Sequence, residues 1–327
     1  MERFHVSATG HSLNYLPEYI AQRHGLFAEQ GLDVSVTVPS PWDLVLEELA
    51  DTTASAALGG IWVPSMFRNR GKSYTAFAQV ANRCPLALLK RGSAAGFELS
   101  EAVGRTVLMK SGNGASVGLF FKMLLRESGI NPNAVHFVQD LDGKMLAKLF
   151  EGGMGDYFVV DNVTARIMAR KNPAISIAME MVQDGDEIPW SVYYRETDTI
   201  TAAVIDKQTR FCAALGKAMD WVNAHDAKTY QDELAALFPA VPVDILVDLT
   251  NKYRKDHMWS SPVVSRRGYA RWQKGLADGR LIGRTLDYED IVDDVPSEMA
   301  AGKSAMSLAV KQPQVTETEV QKVPIIA

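Results

Sequence analysis

His11 and Ser12 stand side by side in a polar stretch, Gly10-His11-Ser12-Leu13-Asn14. With a carboxylate opposite, Asp161 being the candidate, they have the parts of an acid–base or nucleophilic site. An imidazole with a pKa near ~6.5 can move a proton at neutral pH. Adjacency in sequence makes no hydrogen bond, however, so the same residues serve equally as donors to a bound molecule. A second candidate is Lys110-Ser111-Gly112-Asn113-Gly114-Ala115-Ser116, a glycine-rich turn leading into a helix. Free N–H groups and partial positive charge at such a helix start favour a carboxylate, sulfonate or phosphate. No Gly-Lys-Ser/Thr follows, so it is not a nucleotide P-loop, and its glycines do not have the dinucleotide spacing. A plain glycine turn with a serine cap is the competing reading.

Two further stretches bear on binding rather than chemistry. Gly59-Gly60 closes a small-residue strand and allows close approach by another group, and Trp62 follows two residues later. Trp190 and Tyr193 lie in Ile188-Pro189-Trp190-Ser191-Val192-Tyr193, placed to floor a cleft or to pack a hinge. Asp161 and Asn162 face a ligand, or one of them caps the helix that follows. No Cys or His spacing suits a metal, and no cofactor is expected.

The elements that must hold these residues alternate strand and helix. Phe4–Ala8 and Leu32–Val36 read as strands, with an apolar stripe through Leu16, Ile20 and Phe27 between them. Pro17 is tolerable near that helix's first turn, and Gly25 and Gly31 turn the chain back. The first loop therefore stands at the carboxyl end of its strand, where ligands sit in open α/β sheets. The strand Arg105–Met109 and the helix after Ser116 repeat this logic.

A chain of 327 residues suits two lobes. Hydrophobic residues make up 47% and charged residues 22%, an ordinary globular composition. The net charge of -5 and the lack of a basic stripe argue against nucleic acid. No apolar run approaches the ~20 residues of a membrane span. Cys84 and Cys212 read as two buried free thiols.

Pro17 to Val36, with P-x-Y-I-A-x-x-x-G-L-F-x-x-x-G-L-D-V-x-V, resembles the opening of the type II periplasmic-binding-protein fold, in its nitrate/sulfonate/thiamine-precursor branch, which includes NMT1/THI5-like and SsuA-like proteins. The resemblance covers residues 4–295 and implies two α/β lobes around a cleft with a helical C-terminal wrap. Lobe one is expected at 1–91 plus 197–295, an inserted lobe two at 92–196, and a loose tail at 296–327. The implied function is binding of a small anionic or aromatic molecule by Gly10, His11, Ser12, Asn14, Gly59, Gly60, Trp62, Ser111, Gly112, Asn113, Gly114, Ser116, Asp161, Asn162, Trp190 and Tyr193. The alternative is an intracellular enzyme on this scaffold with His11 as acid or base. The cysteine motifs of the family's enzymes are missing from it. Met1-Glu2-Arg3 runs straight into the first strand, so a cytoplasmic protein is expected, or a periplasmic one with a transporter partner if a signal peptide has been removed.

Overall fold

The computed structural model describes residues 1–68, 70–109, 116–139 and 141–303. Along the chain the strands are β1 (Glu2–Ala8), β2 (Leu32–Thr37), β3 (Ala56–Gly59), β4 (Tyr74–Ala81), β5 (Leu86–Arg91), β6 (Thr106–Met109), β7 (His136–Val138), β8 (Tyr157–Asp161), β9 (Ile175–Glu180) and β10 (Ser191–Glu196). They form two five-stranded sheets, ordered β2-β1-β3-β10-β4 and β7-β6-β8-β5-β9. In each sheet four strands run one way and a single strand, β10 in the first and β5 in the second, runs against them.

The alternation of β1 explains its two faces. Phe4, Val6 and Ala8 enter the core beneath the helix Ala202–Ala224, where Phe4 stacks on Phe211 at 4.6 Å between ring centroids. His5, on the other face, is tied to Ser35 at 2.8 Å and Thr37 at 3.0 Å, both on β2. The expected single helix after the first loop is two, Leu16–Arg23 and Leu26–Glu29, because Gly25 takes φ +72 between them. Left-handed backbone interrupts a helix, and glycine adopts it without a steric cost. Phe27 still reaches the core, stacked on Phe211 at 4.9 Å.

Both expected lobe boundaries are corrected by strand pairing. β5 pairs with β8 and β9 in the second sheet, and β10 pairs with β3 and β4 in the first. The chain therefore crosses at 82–85 and again at 185–190, one strand before each expected point. The small residues at 92–96 make a turn inside the second lobe, with Gly92 at φ +79 and its N–H on Ala174 O at 2.8 Å. Small residues mark a tight turn wherever it occurs, and only pairing separates a turn from a crossing. The two crossings lie against each other, Ile188 N–H donating to Asn82 O at 3.0 Å and Trp190 N–H to Ala81 O at 2.9 Å.

The apolar core does not respect the lobe division, since Ala57 and Tyr74 of the first sheet share a cluster with Val107 and Phe120 of the second lobe. The C-terminal helices extend this continuity. Tyr253, on the helix Val243–Lys255, receives a bond from Asn162 Nδ2 at 3.3 Å, and Arg271, on Arg266–Asp278, clasps Glu127 at 2.6 Å. The expected loose tail begins too early: Pro296 lies in the first turn of a helix, Val295–Ala300, and Ser297 and Glu298 are buried. Proline there stops nothing, because its missing N–H falls among donors that a helix start leaves unpaired anyway. Residues 304–327 lie outside the described residues. Cys84 and Cys212 are free and buried.

Candidate functional site

A cavity of about 340 Å3 lies between the lobes. Its first-lobe wall is the loop after β1, Thr9 to Tyr15, with Trp42, Gly60, Trp62 and Val63. Leu86, Ser116, Val117, Val160, Asp161 and Val163 form the second-lobe wall, and Trp190 and Ser191 come from the second crossing. Phe238 and Val241 arrive from the C-terminal region.

The first loop is held from three sides. Asn14 is buried, accepts the Ser12 hydroxyl on its side-chain oxygen, and donates from Nδ2 to Ser191 Oγ at 3.2 Å. Its backbone carbonyl receives Trp259 Nε1–H at 2.9 Å. Ser12 N–H donates to the Tyr19 hydroxyl at 3.1 Å. One asparagine thus joins the loop to the hinge strand and to the C-terminal wrap.

His11 stands at the mouth of the cavity. Its ring stacks on Tyr19 at 4.7 Å and lies against Phe238 at 4.8 Å, while Nε2–H donates to Leu237 O at 3.0 Å. The anticipated acid–base set is therefore committed elsewhere: His11 to Leu237, Ser12 to Asn14, and Asp161 Oδ1 to Thr164 N–H at 2.9 Å. Asp161 is the N-cap of the helix Asn162–Lys171 and also lines the cavity, so its two sequence readings coexist.

The aromatic wall depends on a glycine. A Cβ placed on Gly60 would fall 2.4 Å from both Cδ1 and Nε1 of Trp62, so the indole is folded back onto this backbone. Trp42 meets Trp62 edge-on at 6.0 Å, and Trp190 meets Phe120 edge-on at 5.5 Å. Beneath the loop Tyr15 lines the cavity, its phenol pushed up by burial.

Three expected contact residues lie off the wall. Tyr193 is fully buried and donates its hydroxyl to Glu18 Oε2 at 2.7 Å, because its place on β10 turns it to the core side of the sheet. Asn162, one residue past the cap, turns toward Tyr253. Gly59 makes room for Thr9, whose methyl a Cβ would meet at 2.9 Å. Gly10, His11, Ser12, Asn14, Gly60, Trp62, Ser116, Asp161 and Trp190 all line the cavity. Ser111, Gly112, Asn113 and Gly114 lie outside the described residues.

Sequence reasoning passed over Trp42, Tyr15, Phe238 and Val241. Trp42 was discoverable, being an aromatic in a Pro-rich turn at the carboxyl end of β2. Phe238 and Val241 carry no local signal, since only the wrap of the C-terminal helices brings them over the first loop. Among the described residues no group of His, Cys, Asp and Glu could hold a metal ion, and no helix is long and apolar enough to cross a membrane.

The sequence profile of the family described as NMT1/THI5 like matches residues 12–229, two thirds of the chain and most of both sheets. The chain belongs to this NMT1/THI5-like family. A curated relative, "Putative binding protein YtlA" of Bacillus subtilis (strain 168), is 24% identical over 294 residues, spanning 88% of this chain and 86% of its own. Among solved structures, the periplasmic aliphatic sulphonate binding protein SsuA from Escherichia coli matches at TM-score 0.69 and 13% identity, covering 100% of this chain and 97% of that one. The periplasmic nitrate-binding protein NrtA from Synechocystis PCC 6803 matches at 0.68 and 12%, covering 92% and 89%. The fold of this NMT1/THI5-like protein is that of the periplasmic binding proteins.

Proposed function

We propose that this protein is a solute-binding protein that encloses a small, planar, aromatic-bodied organic molecule between its lobes. The observation that carries the reading is the wall itself. Trp42, Trp62, Trp190, Tyr15 and Phe238 surround a cavity of about 340 Å3, with polar side chains such as Ser12, Asn14, Ser116, Asp161 and Ser191 between them. Ligand sites combine an aromatic and apolar lining with polar groups that set orientation. Among the described lining residues there is no Lys or Arg, and Asp161 contributes a carboxylate. That composition favours an aromatic solute with a polar N–H or O–H edge over an inorganic anion. Membership of the NMT1/THI5-like family and the likeness in fold to sulfonate- and nitrate-binding proteins support a receptor role, with delivery to a membrane importer as its purpose.

The test is a thermal-shift panel containing N-heterocycles, aromatic carboxylates, alkanesulfonates and nitrate. A solute at about 100 times its Kd stabilises the fold by about 2.7 kcal/mol, and that shift should come from an aromatic member and vanish in Trp62→Ala. A response confined to nitrate or alkanesulfonates, or one that survives Trp62→Ala undiminished, would overturn the reading.

A further inference from the structure

A second cavity, of about 170 Å3, lies in the first lobe at the opposite ends of the strands that carry the interlobe site. β10 connects the two, with Ser191 on the interlobe wall and Arg195 on this one. Phe4 enters it near the start of β1, and Ser55 just before β3. The first turns of the helix Ala202–Ala224 cover it through Val204, Lys207 and Gln208.

Two of its lining side chains are buried and incompletely bonded. Arg195 is 2% exposed and Gln208 is 1% exposed. Arg195 Nη2 donates to Asp293 Oδ2 at 2.8 Å, but its Nε and Nη1 have no hydrogen-bond partner among the described residues. Neither amide atom of Gln208 has one. Folded interiors leave few polar atoms in this condition, so such a cluster on a cavity wall points to an occupant.

The chemistry of that occupant follows from the unpaired atoms. Guanidinium and amide N–H groups outnumber the single amide oxygen, so the cavity asks for an acceptor. Lys207 stands at the rim, its ammonium 3.7 Å from Glu2 Oε2 and 3.5 Å from the Arg3 carbonyl, and the start of a 23-residue helix adds partial positive charge. Opposing them, Asp293 is engaged by Arg195, and Glu196 by Lys72 at 2.9 Å. The volume corresponds to roughly six waters, which limits an organic ligand to a few heavy atoms. We infer that this cavity is a second ligand site for a small carboxylate, its oxygens on Arg195 and Gln208 and its short apolar end against Phe4, Leu49 and Val204.

The experiment titrates the full chain with formate, acetate and lactate against sodium chloride of matched ionic strength, by thermal unfolding and calorimetry. Crystals soaked in acetate complete it. A saturable stabilisation is expected, weakened about tenfold in Gln208→Leu, which removes one hydrogen-bonding partner, and retained in Trp62→Ala. Arg195→Met strands Asp293 and can fail to fold. Gln208→Leu instead places an apolar side chain beside apolar neighbours, so it is the deciding variant. The inference falls if no saturable response occurs, if Gln208→Leu responds as the parent does, or if ordered water alone fills the cavity. It falls equally if Trp62→Ala abolishes the response, which would assign the carboxylate to the interlobe cavity.

Discussion

The phenol of Tyr193 donates to Glu18 Oε2 at 2.7 Å, and both side chains are fully buried in the first lobe. Glu18 lies on the helix Leu16–Arg23, directly behind the first loop, with Tyr15 and Tyr19 as its other titratable neighbours. Its second oxygen, Oε1, has no hydrogen-bond partner among the described residues. Burial pushes the carboxyl from 4.5 up to about 7, and the Tyr193 bond offsets only part of that. A carboxyl with one bonded oxygen in an apolar setting is more stable protonated.

A pH dependence follows. The folded state binds this proton more tightly than the unfolded chain, so the contribution of Glu18 is greatest below 4.5 and is lost as pH rises through about 7. The full shift corresponds to about 3 kcal/mol. Glu18→Gln keeps an acceptor for Tyr193 and carries no charge. At pH 8.5 or so it should be more stable than the parent by about 1–3 kcal/mol, with the advantage shrinking toward pH 5. Urea unfolding across that range measures it, and parallel curves for the two proteins would refute the assignment.

Gly60→Ala should disturb the site without disturbing the fold. The backbone of Gly60 is not in the left-handed region, so only the Trp62 ring opposes a methyl there. Moving that ring off its seat alters the cavity, and solute affinity should fall by about tenfold or more, equal to ~1.4 kcal/mol. Gly10→Ala is the control, because a Cβ there meets nothing within 4 Å. In a Trp62→Ala background the effect of Gly60→Ala should disappear. Additive losses in the double variant would show that Gly60 acts by another route.

Asn14→Ala should cost stability and affinity together. It removes the bridge from the first loop to Ser191 and leaves the Ser12 hydroxyl to find another partner. Loss of a buried bonded group costs about 1–3 kcal/mol. Chemical denaturation and solute titration measure the two losses, and a variant as stable as the parent would show that this bridge does not hold the loop.

The strand–turn–helix units were legible because alternation and glycine turns are local signals, and the loop at Gly10–Asn14 could be placed at a strand's carboxyl end from them. β9 had its own legible pattern as well, Ile175 and Ile177 flanking Ser176 just after the Asn172-Pro173 turn. Strand exchange between lobes left no local mark. Leu86–Arg91 reads as a buried strand in either sheet, and its partners β8 and β9 lie some 65 to 95 residues further along. The cavity wall divides the same way. Gly60 and Trp62 belong to one short motif, whereas Phe238 reaches His11 across a sequence separation of 227 residues.

His11 provides the last prediction, because its geometry separates binding from chemistry. Its ring is held by Tyr19 and Phe238, and Nε2 is spent on the Leu237 carbonyl, which anchors the segment carrying Phe238 and Val241 over the cavity. A tether of this kind affects how tightly the mouth is held. His11→Phe keeps an aromatic ring between Tyr19 and Phe238 but donates no hydrogen bond. His11→Asn can donate but has no ring to stack. For a receptor, both variants should bind the panel solute within ~1–2 kcal/mol of the parent, and the parent should return it chemically unchanged after prolonged incubation, as followed by NMR. An enzyme would convert the solute, and His11→Asn would lower turnover by about 10²–10⁴ while still binding it. Product formation by the parent, abolished in both variants, would move His11 from tether to catalyst and end the receptor reading.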